Sequence, residues 1–320
     1  MLRLFVVVAL IAVWYAYFSA HTNEITRNVD WWYSRGQYAE LQNWNIFYVD
    51  EAGTGPSGTL ICLHGFPTSS YDWVKILPDL KQQFGRIILL DLLGYGFSEK
   101  PTNHEYTIDS QSHIVESLAI KLGIKSAHIL AHDYGDTVAL ELLARHNVQW
   151  LKFQILSLTM LNGGIFPEVH RPRFFQKVLQ IPVLGYLTSQ LSNYYMFSYG
   201  FSEVFGENKP TETELLDFWS IVAFNSGYKA FYKIINFLKE RHTFRLKWVG
   251  ALRNAKIKVL MIYGPADPVN PAEFAQVFRT TVPDQTLKIL SPQVGHYPQW
   301  EDPDAVSNVF IQFIKNLPTP

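Results

Sequence analysis

Five residues carry the first chemical signal. In Ala131-His132-Asp133-Tyr134-Gly135 an aspartate stands between two small residues, directly after the apolar run Ala127–Ala131. A segment of helical pattern, Asp136–His146, follows at once, with Val138, Leu140, Leu142 and Leu143 as its apolar positions. Small residues on both sides suit a sharp strand-to-helix turn, because the central residue is strained and its side chain must stand clear of the sheet. Taken alone, the pentapeptide also reads as an aspartate capping a helix. Three other segments bear on the choice. The apolar run Thr59–Leu63 leads into His64-Gly65-Phe66-Pro67, where the backbone N–H of Phe66 can point at the same place as that of Tyr134. The run Ile257–Tyr263 ends in Gly264-Pro265-Ala266-Asp267, and Thr286–Leu290 ends in Ser291-Pro292-Gln293-Val294-Gly295-His296.

A carboxylate that attacks an acyl carbon gives a reactive mixed anhydride, whereas attack on saturated carbon gives a stable ester. Asp133 as nucleophile therefore predicts an sp³ electrophile, such as an epoxide carbon. His296, oriented by Asp267, would then take a proton from the water that attacks the ester carbonyl. The Phe66 and Tyr134 amides would hold the resulting oxyanion, each such donor being worth about 3 kcal/mol. The chain order, nucleophile then acid then histidine, sets this arrangement apart from other triads of the same geometry. His64 reads as structural, because no second histidine or cysteine stands at metal-ligand spacing. Asp91-Leu92-Leu93-Gly94-Tyr95-Gly96-Phe97-Ser98 has Glu99 where a dinucleotide fingerprint needs its third glycine, so it reads as a tight structural loop. His170, Arg171, Arg173 and the run Lys239-Glu240-Arg241-His242 read as solvated charge, with lipid headgroups as the other option.

These residues must be positioned by regular elements. Strands are expected at Trp44–Asp50, Thr59–Leu63, Arg86–Asp91, Ala127–Ala131, Ile155–Leu161, Ile257–Tyr263 and Thr286–Leu290. Helical patterns such as Ile108–Leu122 and Pro303–Asn316 alternate with them, as in a mostly parallel sheet with crossover helices. The stretch between Leu161 and Ile257 is too long for a loop and is helical and aromatic in character, which predicts an inserted helical lid. Its segment Tyr194-Tyr195-Met196-Phe197-Ser198-Tyr199-Gly200-Phe201 fits lid core or substrate lining equally well. The expected organisation is an anchor over 1–22, a connector over 23–43, core over 44–164, lid over 165–246 and core again over 247–320.

The 27 Lys+Arg and 28 Asp+Glu of this 320-residue chain nearly cancel, so no general field attracts nucleic acid. The single cysteine, Cys62, sits in an apolar run and excludes an internal disulfide. Leu4–Ala20 is free of charge, follows Arg3 and precedes polar residues. At its length of about 25 Å it is short for a bilayer span but long for a signal-peptide core. Trp14, Tyr15, Tyr17 and Phe18 crowd the end where a cleavage site needs small residues, which favours an uncleaved membrane anchor.

Taken together, HGFPTSSYDW (His64–Trp73), DLLGYGFS (Asp91–Ser98), HDYGD (His132–Asp136), LNGGIFPEVHRP (Leu161–Pro172) and YGPADPVNP (Tyr263–Pro271) resemble the α/β-hydrolase superfamily, in its epoxide-hydrolase-like branch. The resemblance implies an α/β-hydrolase fold with a helical lid. It implies Asp133 as nucleophile, His296 as base, Asp267 as its orienting acid, and Phe66 and Tyr134 as the oxyanion hole. It also implies a protein of the endoplasmic reticulum membrane, which fits a single-pass N-terminal anchor. Separately, the aromatic lid predicts an apolar, lipid-like substrate, and nothing in the sequence suggests a metal, nucleotide or organic cofactor. Tyr134 stands where dehalogenases use a tryptophan N–H for halide, which disfavours dehalogenation. Epoxide hydrolases place two ring-protonating tyrosines in the lid, for which Tyr195, Tyr199, Tyr228 and Tyr232 are the candidates. An esterase or acyl-transfer enzyme, and a scaffold that binds lipid or a partner with little turnover, are the alternatives.

Overall fold

The computed structural model describes residues 24–318, and the expected anchor, Leu4–Ala20, lies outside them. Among the described residues no helix is long and apolar enough to cross a membrane. One eight-stranded sheet runs in the order β1-β2-β4-β3-β5-β6-β7-β8. Its strands are β1 Gly36–Leu41, β2 Trp44–Ala52, β3 Thr59–Leu63, β4 Arg86–Leu90, β5 Ser126–His132, β6 Gln154–Leu161, β7 Lys258–Tyr263 and β8 Thr286–Ile289. β1 and β2 form an antiparallel hairpin, β2 lies antiparallel to β4, and the remaining pairs are parallel. In β3, β4 and β5 nearly every residue is buried, as expected of parallel strands covered on both faces.

The connector expected over 23–43 is in fact structured. It contains a helix, Arg27–Tyr33, started by the Thr26 hydroxyl and held by buried Trp32, whose Nε1 donates to Ser70 Oγ at 3.2 Å. It also contains β1, joined to β2 through Gln42 and Asn43, both left-handed at φ 51° and 68°, as a tight two-residue hairpin requires. β1 is a short polar edge strand, so its sequence carries little hydrophobic alternation.

Between β6 and β7 the chain builds the lid from helices Phe174–Leu179, Pro182–Leu191, Tyr194–Ser202, Glu212–Ala223, Phe231–Ile234 and Phe237–Thr243, with a 3-10 turn at Phe224–Ala230. The next helix, Arg245–Arg253, packs on the core helix Tyr134–Asn147, where Trp248 Nε1 donates to the Glu141 carboxylate at 2.8 Å. Because β3, β5, β6 and β7 are parallel and in register, the loops that follow them all emerge at one sheet edge, beneath the lid.

Candidate active site

Asp133 follows β5 with φ 45° and ψ −101°, a left-handed backbone for a residue with a side chain, and the Tyr134–Asn147 helix begins at once. Such strain is worth on the order of 1–3 kcal/mol and persists only where the surroundings enforce it. They do so by close packing. A Cβ on Gly135 would lie 2.3 Å from the Leu63 carbonyl oxygen, and one on Gly65 would lie 2.6 Å from His132 Nδ1. Gly135→Ala should therefore push the turn away from β3, lowering stability by about 1–3 kcal/mol and displacing the Asp133 side chain. A thermal melt and an activity assay together check this, and an alanine variant with unchanged stability and activity would contradict it.

The side chains expected from the sequence do meet at this edge. His296 Nδ1 lies 2.8 Å from Asp267 Oδ2, and its Nε2 faces Asp133 Oδ2 at 3.9 Å, a charge contact longer than a hydrogen bond. The Phe66 N–H donates to the same Asp133 oxygen at 3.2 Å. Asp267 is fixed by Asn162 Nδ2 at 2.9 Å, Asn270 Nδ2 at 3.0 Å and the Val269 N–H at 2.7 Å. The His296 main chain is pinned as well, its N–H donating to the Val204 carbonyl while its own carbonyl accepts from His132 Nε2 at 2.8 Å. His64 is structural: its Nε2 accepts from the Leu92 N–H at 3.0 Å, and burial depresses its basicity. The Asp91–Ser98 segment closes on itself, the Asp91 carboxylate accepting from the Ser70 and Phe97 N–H groups.

Charge is concentrated here. Burial alone would lower the pKa of His296, but the Asp267 and Asp133 carboxylates push it up to about 10. Burial would likewise raise that of Asp133, but His296 and Arg241 hold it well below the usual carboxylate range. Asp267 is lowered in the same manner, His296 outweighing its burial.

Arg241 overturns the reading of the basic lid run as solvated charge. It is 2% exposed and reaches Asp133 with Nη2, 3.1 Å from Oδ1 and 2.9 Å from the main-chain oxygen, while its Nε donates to Thr137 Oγ1 at 2.9 Å. Its guanidinium also lies over the Phe237 ring at 4.6 Å. Glu240 is buried beside it and accepts from the Ile108 N–H, capping a core helix. His170 is half-buried rather than free in solvent, bonded to Asn270, with its pKa lowered to about 4 by burial and the Arg241 charge. Arg171, Lys239 and His242 are exposed, in keeping with solvated charge, whereas Arg173 is half-buried, pairs with Glu203 and lines the cavity beneath the lid.

A cavity of about 100 Å³ lies under the lid, lined by Phe66, His296 and Tyr297 from the core and by Leu179, Met196, Phe197, Phe201, Trp219 and Phe231 from the lid. None of the four candidate lid tyrosines lines it. Tyr195 and Tyr199 face outward at 50% and 71% exposure, Tyr228 stacks on the far side of Trp219, and Tyr232 packs on Tyr186. The aromatic segment splits by helical phase: Phe197 and Phe201 point inward, and Tyr195 and Tyr199 outward. Among the described residues no cluster of His, Cys, Asp or Glu is arranged to hold a metal ion.

Residues 58–303 match the alpha/beta hydrolase fold family. The chain belongs to that family. Among its alpha/beta hydrolase relatives, the chain is similar to the mesoderm-specific transcript protein of Mus musculus, at 44% identity over 293 residues, covering 89% of this chain and 88% of the relative. It is 31% identical over 284 residues to the putative hydrolase LipZ of Mycobacterium tuberculosis, covering 88% and 96%. A haloalkane dehalogenase DbeA loop variant from Bradyrhizobium elkanii shares the hydrolase architecture, with a TM-score of 0.74 at 21% identity over 88% of this chain and 96% of that one.

Proposed function

We propose that this chain hydrolyses epoxides or related sp³ electrophiles on apolar, lipid-like molecules through an ester on Asp133, held at the endoplasmic reticulum membrane by Leu4–Ala20. One observation carries the chemistry: a carboxylate, not a hydroxyl, occupies the strained turn, with the Phe66 amide on its Oδ2 and His296 backed by Asp267 facing it. A carboxylate there makes a stable intermediate only on saturated carbon.

His296 has two duties in sequence. In the resting enzyme its pKa of about 10 keeps it an imidazolium, so it donates the proton that the departing oxygen needs as Asp133 forms the ester. Esterification removes one of the two negative charges that sustain the imidazolium. The ring, now neutral and still held by Asp267, accepts a proton from the water that attacks the ester carbonyl. The Phe66 and Tyr134 amides, with Arg241 beside them, offset the charge that develops on the carboxyl oxygens. The cavity walls exclude bulk water and favour an apolar substrate.

The sign of the pH dependence follows. Because free-enzyme His296 must start protonated, kcat/KM is expected to hold across neutral pH and fall as pH passes about 10. A rise through that range would remove the acid role. The decisive test is a single turnover of an apolar epoxide in ¹⁸O-water. An aspartyl ester puts the label in Asp133 and leaves the first product unlabelled, whereas direct attack by water labels the product alone and sinks the reading.

A further inference from the structure

The Pro182–Leu191 helix is inside out for a helix facing water. The residues it buries are Gly185 and Ser189, four positions apart, while Val183, Leu184, Leu187 and Leu191 stand exposed, Val183 at 74%. Both inward positions have a packing reason. A Cβ on Gly185 would lie 2.2 Å from the Leu179 carbonyl, and Ser189 Oγ accepts from the Tyr232 N–H at 3.0 Å. Tyr195 and Tyr199, exposed on the next helix, continue the same surface, and from Val178 to Ser202 the chain carries no charged residue. A contiguous exposed apolar surface of this kind marks a site of contact with a membrane or another protein.

Two further observations select a membrane. The described chain begins beside the lid: the Thr26 hydroxyl donates to Asp217, and Asn28 Nδ2 donates to Asp217 Oδ2 at 3.0 Å. Asp217 lies on the Glu212–Ala223 helix, whose Trp219 meets Phe197 of the Tyr194–Ser202 helix with ring centroids 5.5 Å apart. The described chain therefore enters the fold on the lid's side, and the uncharged Leu4–Ala20 run precedes that point in the sequence. In addition, the cavity is lined by Thr188 and Met196 of these two lid helices and by Ser192 between them, and at about 100 Å³ it is smaller than the roughly 150 Å³ that takes up a benzene ring. It holds only the reacting end of a long molecule, and the rest must lie along or beyond the lid.

We propose that the outer face of the lid, centred on Pro182–Leu191, is seated in the surface of a phospholipid bilayer, so that substrate enters the cavity from the membrane. The uptake part rests on the lipid-like substrate proposed above, but the docking does not. With no charge to desolvate, the face can sit about 5–10 Å into the boundary between headgroups and acyl chains, as amphipathic helices do.

The test attaches the environment-sensitive fluorophore NBD to full-length chain carrying Val183→Cys or Leu187→Cys, with Val148→Cys, at the far end of the Tyr134–Asn147 helix, as control. Cys62 is buried and does not compete for the label. With phosphatidylcholine vesicles, emission from 183 and 187 is expected to shift to the blue and to be quenched by acyl-brominated lipid, while that from 148 does neither. Water-like emission at 183 on vesicle-bound protein, or no vesicle binding at all, overturns the proposal. A blue shift without vesicles also overturns it: growth with protein concentration assigns the face to a second copy, and independence of concentration assigns it to the chain's own Leu4–Ala20 segment. A Val183→Asp/Leu187→Asp variant should melt as wild type does and still incorporate ¹⁸O at Asp133 with a water-soluble epoxide, which separates failure of docking from failure of the chemistry.

Discussion

Asp133→Asn is expected to abolish turnover, lowering kcat by about 10⁴-fold or more, as loss of a nucleophile does when the groups around it act as a unit. The amide keeps the shape of the carboxylate and can still accept from the Phe66 N–H, so the variant should fold. It should still bind apolar ligands, because the aromatic and aliphatic cavity walls are unaltered. Activity above about 1% of wild type would show that another group attacks. Asp133→Ala tests the same chemistry less cleanly, since it leaves both the Arg241 guanidinium and the His296 imidazolium facing a void. Its loss of stability would mix with its loss of function.

The second large effect belongs to Arg241. Arg241→Met keeps length and apolar bulk but strips the charge from a pair in which both side chains are at most 3% exposed. Breaking one side of a buried ion pair costs about 3–5 kcal/mol, which for a chain of this size is a fall in Tm on the order of 10 °C. The double variant Arg241→Met/Asp133→Asn should recover much of that, because neither partner is then a stranded charge. A single variant as stable as wild type would show that the guanidinium contributes nothing net. The pH dependence has a definite sign. The depressed Asp133 contributes stability that is present above its unfolded pKa of about 3.9 and is lost as pH falls. The raised His296 contributes stability that is full below about 6.5 and is lost as pH rises through about 10. Wild type should therefore lose stability from both directions, and Asp133→Asn should shrink both flanks in part, Asp267 still raising His296, which chemical denaturation across pH will show.

The positions of Asp133, Asp267 and His296 were readable because each lies just beyond an apolar strand, and parallel strands in register carry such ends to one edge. Local pattern sufficed. Arg241 was not readable in this way. Its partner lies 108 residues earlier, and a run of alternating charge on a helix looks solvated until the fold shows which face is covered. Asn162 was hidden for a similar reason: an asparagine after a strand reads as a turn residue, yet here it holds Asp267, Gly264 and Gly295 together. The lid tyrosines failed because aromatic composition says nothing about helical phase, and the phase of Tyr194–Ser202 turns Phe197 and Phe201 inward. The β1 hairpin was missed because an edge strand with one covered face needs few apolar residues.

The grip of Arg241 on Asp133 spans two layers of the molecule, since the arginine belongs to the lid and the aspartate to the sheet edge. On the proposed route, part of that clasp is a charge contact which the reaction itself erases. Once the ester has formed, the guanidinium keeps its neutral acceptors, the Asp133 main-chain oxygen and Thr137 Oγ1, but loses its anionic one, so the roof is tied down less while the covalent intermediate waits for water. On that route hydrolysis restores the carboxylate and with it the full set of contacts, so the strength of the tie between lid and sheet edge follows the state of a single side chain.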